Sequence, residues 1–160
     1  MILLDTHVVV WMTTGTTFGK RSMASVKKAL AEDRLAISAI SLWEIAMLMA
    51  KGRLRALKSA TEQRAKILAA GVHELPLHGE ICILAGELEN LHTDPADRLI
   101  AATAITLDAT LITADERLAA LATRATPAKR RDVAAAPAPV RTATWRHRFG
   151  IMHRPFPPAQ

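Results

Sequence analysis

Four acidic residues lie at places in the sequence where carboxylates can do chemistry: Asp5, Glu44, Asp97 and Asp115. If the fold brings them together, their like charges repel and raise one another's pKa values, and a divalent cation removes this conflict. Mg²⁺ and Mn²⁺ prefer carboxylate and water oxygens as ligands. Such an ion activates a bound water as a nucleophile and stabilises the charge that develops on a phosphodiester. The four acids therefore predict a metal site for phosphodiester hydrolysis that needs no histidine base.

Three of these acids also have a structural explanation. Glu44 stands three residues after Ser41, so the segment SLWE fits a helix capping box. Asp97 and Asp115 fall where first helical turns are predicted, and the helix dipole favours negative charge there. Asp5 differs, because it directly follows the apolar run ILL, where an unpaired buried carboxylate is costly. The residues alone leave metal binding and helix capping as alternatives for the other three.

The elements that must position these acids follow from an alternation of short apolar runs with helical patterns, which is typical of a parallel α/β sheet. The predicted strands cover residues 2–4, 35–37, 72–75 and 110–113. The predicted helices cover a short segment after the first strand and residues 22–33, 41–51, 59–70, 78–88, 96–107 and 115–121. The chain is therefore predicted to be an α/β domain.

Functional groups in an open parallel sheet gather beyond the carboxyl ends of the strands. Asp5, Ser38 and Thr113 hold those positions at the first, second and fourth predicted strands. Glu44 and Asp97 are expected in the first turns of their helices. The acids are thus expected to converge at one edge of the sheet.

The composition fits one globular domain without disulfides. The chain has 160 residues, half of them hydrophobic, and a single cysteine, Cys82. One cysteine excludes an internal disulfide framework and a cysteine-rich zinc site, and it fits a cytoplasmic location. The apolar start MILLDTHVVVWM lacks a basic leader and is interrupted by Asp5 and His7, so neither a signal peptide nor a membrane span is expected.

The positive charge is concentrated in the C-terminal part of the chain. Residues 1–121 carry 13 Lys/Arg and 14 Asp/Glu, a net charge of −1, whereas residues 122–160 carry 8 basic residues and one acid, a net charge of +7. The segment ATPAKRRDVAAAPAPV has no periodicity that would bury a face, so residues 122–160 are predicted to form a basic extension with a possible short edge strand at 140–145. Polyanion binding and a tail without a role both explain this charge.

Four segments resemble, in order and spacing, the successive motifs of PIN-domain proteins, in particular the VapC-type toxins of toxin–antitoxin pairs. They are LLDTHVVVW, SAISLWEIAMLMAKGRL, HTDPADRLIAATA and LITADERL, within residues 1–121. The resemblance implies a PIN-like three-layer α/β sandwich, in which a parallel sheet of four or five strands carries helices on both faces. The chain departs from the family pattern at its end, where a proline–alanine–arginine stretch follows the fourth motif. That departure leaves the fifth strand open.

The resemblance also implies a site and a function. It makes Asp5, Glu44, Asp97 and Asp115 an acidic quartet that holds Mg²⁺ or Mn²⁺ in an endoribonuclease. The family's substrate class is structured RNA, its partner is a small VapB-type antitoxin, and its members are commonly homodimers. The implied protein is the toxin of a VapBC pair.

Further residues around the motifs are assigned supporting roles. Thr6, Ser38 and Thr113 are candidates for hydroxyls that orient ligands or water. Arg98 is a candidate for binding substrate phosphate or for pairing with a carboxylate. The basic residues predicted to hold flanking phosphates are Lys129, Arg130 and Arg131, together with Arg146 and Arg148.

Other residues near the motifs are assigned structural roles. Asp94 is predicted to cap a helix, because Pro95 follows it. His7 and His92 are interpreted as packing or hydrogen-bonding residues rather than catalytic ones, and Trp11 and Trp43 as core or interface aromatics rather than base-stacking platforms.

Two rival functions stay open from the sequence. One is a nucleic-acid-binding module without catalysis, in which the basic extension makes the contacts. The other is a PIN nuclease that processes RNA, or cuts DNA, without an antitoxin.

Overall fold

The structure, a computed structural model, describes residues 1–16, 18–54, 58–89 and 94–118, all within the first of two units into which the chain divides, Met1–Pro127. The strands are β1 (Ile2–Leu4), β2 (Leu35–Ser38), β3 (His73–Leu75) and β4 (Thr110–Ile112). The helices are α1 (Thr6–Thr14), α2 (Lys20–Ala31), α3 (Ala39–Ala50), α4 (Ala60–Ala69), α5 (Gly79–Glu87) and α6 (Pro95–Leu107). Each predicted strand and helix up to residue 112 is present, with ends that move by one or two residues.

The four strands form one parallel sheet in the order β3-β2-β1-β4. Leu4, at the end of β1, pairs with Ile37 of β2 on one side and with Ile112 of β4 on the other. β1 lies between β2 and β4, and the chain runs outward from β1 to β2 and β3 on one side and to β4 on the other. The carboxyl end of β1 therefore lies at the point where the strand order reverses. Open α/β sheets bind ligands at such points.

Alternate residues of the buried strands pack on opposite faces of the sheet. Leu4 and Ile37 pack with α1, α2, α3 and α4, where Val8, Val26 and Ile45 are buried. On the opposite face, Leu3 and Ala36 pack against α6, where small residues allow close approach, and α5 packs on α6 in turn. This arrangement confirms the predicted three-layer sandwich with helices on both faces.

The start of α3 differs from its prediction. The helix begins at Ala39 rather than Ser41, and Ser38 holds the N-cap position. Glu44 therefore lies in the second turn, not in the first turn as predicted. The run LAISAIS is apolar in both its strand and its helical part, so periodicity alone does not mark where one ends and the other begins.

Two other expectations meet the limits of the described residues. After β4 the chain is helical at residues 116–118, which agrees with the start of the helix predicted from Asp115. The edge strand predicted at 140–145 lies outside the described residues. Among the described helices, none is long and apolar enough to cross a membrane.

Candidate active site

Three adjacent strand ends define the edge of the sheet where the predicted site residues meet. Asp5 directly follows β1 and Thr113 directly follows β4, whereas Ser38 is the last residue of β2. The Asp5 N–H donates to the carbonyl of Ile112 at 3.0 Å, which fixes the backbone of Asp5 beside the end of β4. The register of the sheet thus brings together residues that are up to 108 positions apart in the sequence.

Asp5 is a buried carboxylate that is only half satisfied. It is 2% exposed, and its Oδ2 accepts a 2.8 Å hydrogen bond from the Thr113 hydroxyl. Oδ1 is buried and has no hydrogen-bond partner among the described residues. Asp5 holds the N-cap position of α1, yet its side chain makes no capping hydrogen bond. Because a buried, unpaired carboxylate oxygen is costly, this oxygen is suited to a cation.

Thr113 links two of the acids. Its hydroxyl donates to Asp5 Oδ2 and accepts a 2.9 Å hydrogen bond from the backbone N–H of Asp115. The Asp115 carboxylate in turn accepts through Oδ1 from the N–H groups of Arg117, at 2.8 Å, and Leu118, at 3.3 Å. Asp115 therefore caps the helical turn that it begins, as its structural explanation predicted.

Glu44 is not part of a capping box. Ser41 and Glu44 both lie inside α3, so the capping role proposed for SLWE from the sequence is wrong. Glu44 Oε2 is buried and has no hydrogen-bond partner among the described residues. The hydroxyl of Ser41, one turn earlier on the same side of the helix, is fully buried and likewise lacks a described partner.

Ser41 is a further candidate for the site, because its hydroxyl is buried without a described partner one turn before Glu44. The sequence predicts only a capping role for Ser41, because the helix is expected to begin there. The signal that identifies it is the spacing of three residues to Glu44, which places both side chains on one side of a helix that begins earlier.

Asp97 carries the electrostatic signature of the site. Partial burial, and then the negative charges of Asp94, Asp5, Glu44 and Asp115, raise its pKa from an ordinary 3.8 to about 6. The other three acids of the predicted quartet therefore lie close enough to Asp97 to raise its pKa. Asp94 is the N-cap of α6, as predicted, and its Oδ1 accepts from Ala96 N–H at 2.8 Å.

The other two predicted hydroxyls differ in their surroundings. The Thr6 hydroxyl is fully buried beside Asp5 in the chain and has no described hydrogen-bond partner. Ser38 is also fully buried, but its Oγ lies 3.4 Å from the Thr103 hydroxyl, which itself donates to the carbonyl of Leu99. Ser38 therefore donates to Thr103 and ties α6 to the end of β2.

Arg98 is engaged by the protein itself. Its guanidinium donates to the backbone carbonyls of Ala85, at 2.7 Å, Gly86, at 3.1 Å, and Leu88, at 2.6 Å. These carbonyls lie at the C-terminal end of α5, so Arg98 fastens α5 to the start of α6. This placement gives Arg98 a structural role, and its binding of substrate phosphate stays a prediction.

The remaining predicted residues are His7 and the basic residues of the C-terminal extension. His7 is largely exposed, and its Nδ1 lies 3.9 Å from Asp5 Oδ2. The basic residues Lys129, Arg130 and Arg131, with Arg146 and Arg148, lie outside the described residues.

The donor set fits a hard divalent cation. The four acids offer only oxygen ligands, and two of their oxygens, Asp5 Oδ1 and Glu44 Oε2, are buried without a described partner. In the described part of the chain no three His, Cys, Asp or Glu side chains are already close enough to enclose an ion. The four acids are thus gathered at one edge, but their carboxylates are not drawn in around a common point.

Comparison with known proteins agrees with this arrangement. The PIN domain family matches residues 2–123. The chain is 35% identical over 118 residues to Ribonuclease VapC22 of Mycobacterium tuberculosis, in an alignment that covers 73% of this chain and 88% of that protein. The chain therefore belongs to the PIN-domain family, among its VapC-type ribonucleases.

Proposed function

We propose that this protein is a Mg²⁺- or Mn²⁺-dependent endoribonuclease, the toxin of a VapBC-type pair, which hydrolyses phosphodiester bonds of RNA. Its family and its similarity to a VapC ribonuclease support the reaction class. The single observation that carries the metal dependence is the pair of buried carboxylate oxygens without a described partner, Asp5 Oδ1 and Glu44 Oε2. The pKa of Asp97, which partial burial and then four further acids raise, supports it. A cluster of this kind is stabilised in its charged form by a cation.

Each acid has a distinct part in this proposal. Asp5 and Asp97 are the principal ligands, and Glu44 and Asp115 complete the cluster directly or through water. When bound, the cation supplies an activated water and neutralises charge on the phosphodiester. Thr113 holds Asp5 in one orientation through Oδ2, so Oδ1, which has no described partner, is the oxygen that would hold the ion.

The partners follow from the family rather than from the geometry. A VapB-type antitoxin is expected to bind the toxin and block the acidic site, and the toxin is expected to form a homodimer. A small gene for a DNA-binding protein next to this one would support the toxin assignment over RNA processing without an antitoxin.

Metal binding distinguishes the nuclease from a binding module without catalysis. We expect Mn²⁺ titration, followed by calorimetry, to show that Asp5→Asn weakens affinity by more than about tenfold, since even outer partners of metal ligands cost that much. Asp108→Asn is the matched control, because Asp108 is exposed at the end of α6 in a left-handed conformation that asparagine tolerates. Equal Mn²⁺ affinity of the two variants and the unsubstituted protein would reject the site.

A further inference from the structure

A pocket of about 440 Å³ opens beside the candidate active site. Its walls include Val8 and Trp11 of α1, Phe18 of the following loop, and Ile112 and Thr113 at the end of β4. Thr113 is also the residue whose hydroxyl donates to Asp5. A ligand in this pocket would therefore contact Thr113, which is hydrogen-bonded to the buried Asp5 carboxylate.

The chain builds an aromatic wall in this pocket through one turn. Gly15 ends α1 in the left-handed conformation, with φ of 75°, and its N–H donates to the carbonyl of Trp11. The Thr16 N–H donates to the same carbonyl at 2.9 Å. The turn leads Phe18 back to Trp11, where the two ring centroids lie 6.2 Å apart at an interplanar angle of 32°. Two of the three aromatic side chains in the described residues thus meet here.

The chemistry of the lining favours an uncharged, flat occupant with hydrogen-bonding groups at its edges. Every described residue that lines the pocket is uncharged. Thr16, Ser22 and Thr113 add hydroxyls to the aromatic and aliphatic surface. Aromatic faces with hydrogen-bonding groups at their margins are how proteins hold single unstacked nucleobases.

A helix that carries two basic residues in its first turn begins beside the pocket. Gly19 lines the pocket and caps α2, whose first turn contains the exposed Lys20 and Arg21 and no acidic residue. Two cations at the positive end of a helix are unfavourable by themselves and favour a phosphate nearby. This charge makes RNA a better occupant than an apolar side chain of a protein partner.

We propose that this pocket receives one unstacked nucleobase of the RNA, next to the phosphate at the acidic site, between Trp11 and Phe18 on one side and the end of β4 on the other. The inference rests on the proposed ribonuclease function. It gives the enzyme a base-dependent contact that fixes which phosphate reaches the acids.

The test measures binding and not cleavage, so that the two proposals can fail separately. Full-length Asp97→Asn protein is titrated, by fluorescence anisotropy, with a labelled single-stranded RNA of 12 nucleotides and random sequence, and with an abasic chain of the same length. We expect the RNA to bind more tightly than the abasic chain. Adding Phe18→Leu, which keeps apolar volume but removes the aromatic face, should reduce that ratio by about tenfold.

One control variant and one independent crosslinking experiment complete the test of the pocket. Ile83→Ala removes an exposed apolar side chain of α5 and should leave the ratio unchanged. In the protein without pocket substitutions, 4-thiouridine in the RNA should crosslink to peptides that contain Trp11 or Phe18, which tests the pocket even if Phe18→Leu fails to fold.

An unchanged ratio in a folded Phe18→Leu protein, or crosslinks confined to other peptides, would overturn the proposal and leave the pocket to a protein side chain. Base-dependent binding through Phe18 without any cleavage by the unsubstituted protein would support the pocket while rejecting the nuclease. Cleavage without base-dependent binding would support the nuclease while rejecting the base-binding pocket.

Discussion

Two carboxylates are held at a cost in free energy: Asp97 by partial burial and then by the neighbouring acids, and Asp5 by burial. Asp97 responds through its pKa, which rises to about 6, and Asp5 through a buried oxygen that no described group satisfies. Both costs are expected in a site that is complete only with a cation, because the same groups are favourable ligands once the ion is present. In the proposed metal site, these two residues therefore lower the stability of the fold until the ion is bound.

Asp97→Asn should make the metal-free protein more stable at pH 7. The folded protein favours the protonated form of Asp97, so the stability that this group contributes is highest below pH about 4 and falls as pH rises through the folded pKa of about 6. Asparagine removes this loss, which solvent screening reduces to on the order of 1 kcal/mol, or about 3 °C in melting temperature.

Thermal unfolding in EDTA, compared between pH 4 and pH 7, checks this expectation. The difference in stability between the variant and the unsubstituted protein should be larger at pH 7 than at pH 4. Added Mn²⁺ should stabilise the unsubstituted protein far more than the variant. A variant that is less stable than the unsubstituted protein at pH 7 would show that Asp97 is a structural cap.

The strands were predicted more closely than the starts of α2 and α3, which each begin two residues earlier than predicted. Short, fully apolar runs bounded by turns identify buried parallel strands, and β1, β2 and β4 were placed to within a residue. The start of α3 was missed because strand and helix are equally apolar there, and with it the inward placement of Ser41. The sequence also did not predict the hydrogen bonds from Arg98 to the end of α5, because they depend on how α5 and α6 pack.

The order of the strands explains how much of the site was predictable. That acids end up beyond strand ends follows from a general property of parallel sheets. That Thr113 bonds to both Asp5 and Asp115 requires β4 to lie next to β1, which no local pattern indicates. The same adjacency forms the pocket between α1, the loop at Phe18 and β4.

Thr113→Val tests this link between β1 and β4. The substitution keeps shape but removes the donor to Asp5 and the acceptor for the Asp115 N–H. We expect about a 10- to 100-fold loss of Mn²⁺ affinity and of RNA cleavage in a folded protein, with Thr113→Ser retaining most of both. Thr110→Val, at an exposed position of the same strand, is the control and should change neither. Equal values for Thr113→Val and Thr110→Val would contradict the positioning role.

Acidic and basic residues are unevenly distributed along the chain. The residues up to 121 have a net charge of −1 and contain the acidic site, whereas the residues beyond carry a net charge of +7. The proposed ribonuclease must bind an acidic polymer at an acidic site, and cations at that site together with basic residues outside it would make this binding possible.

Replacing Lys129, Arg130 and Arg131 by serine in the full chain should weaken RNA binding at low salt. If the three residues contact three phosphates, the slope of log affinity against log salt should decrease by about 2 for single-stranded RNA. The comparison uses Asp97→Asn protein, so that cleavage does not remove the ligand. An unchanged slope and affinity would assign the basic extension no part in RNA binding.

Cleavage of RNA by the metal-loaded acids is the central claim, and one measurement tests it most directly. Total cellular RNA is incubated with the protein in Mg²⁺ or Mn²⁺ and in EDTA, with Asp97→Asn protein in parallel. The proposed site predicts cleavage only by the unsubstituted protein and only with the metal ion. Cleavage that persists in EDTA or in folded Asp97→Asn protein would contradict the claim.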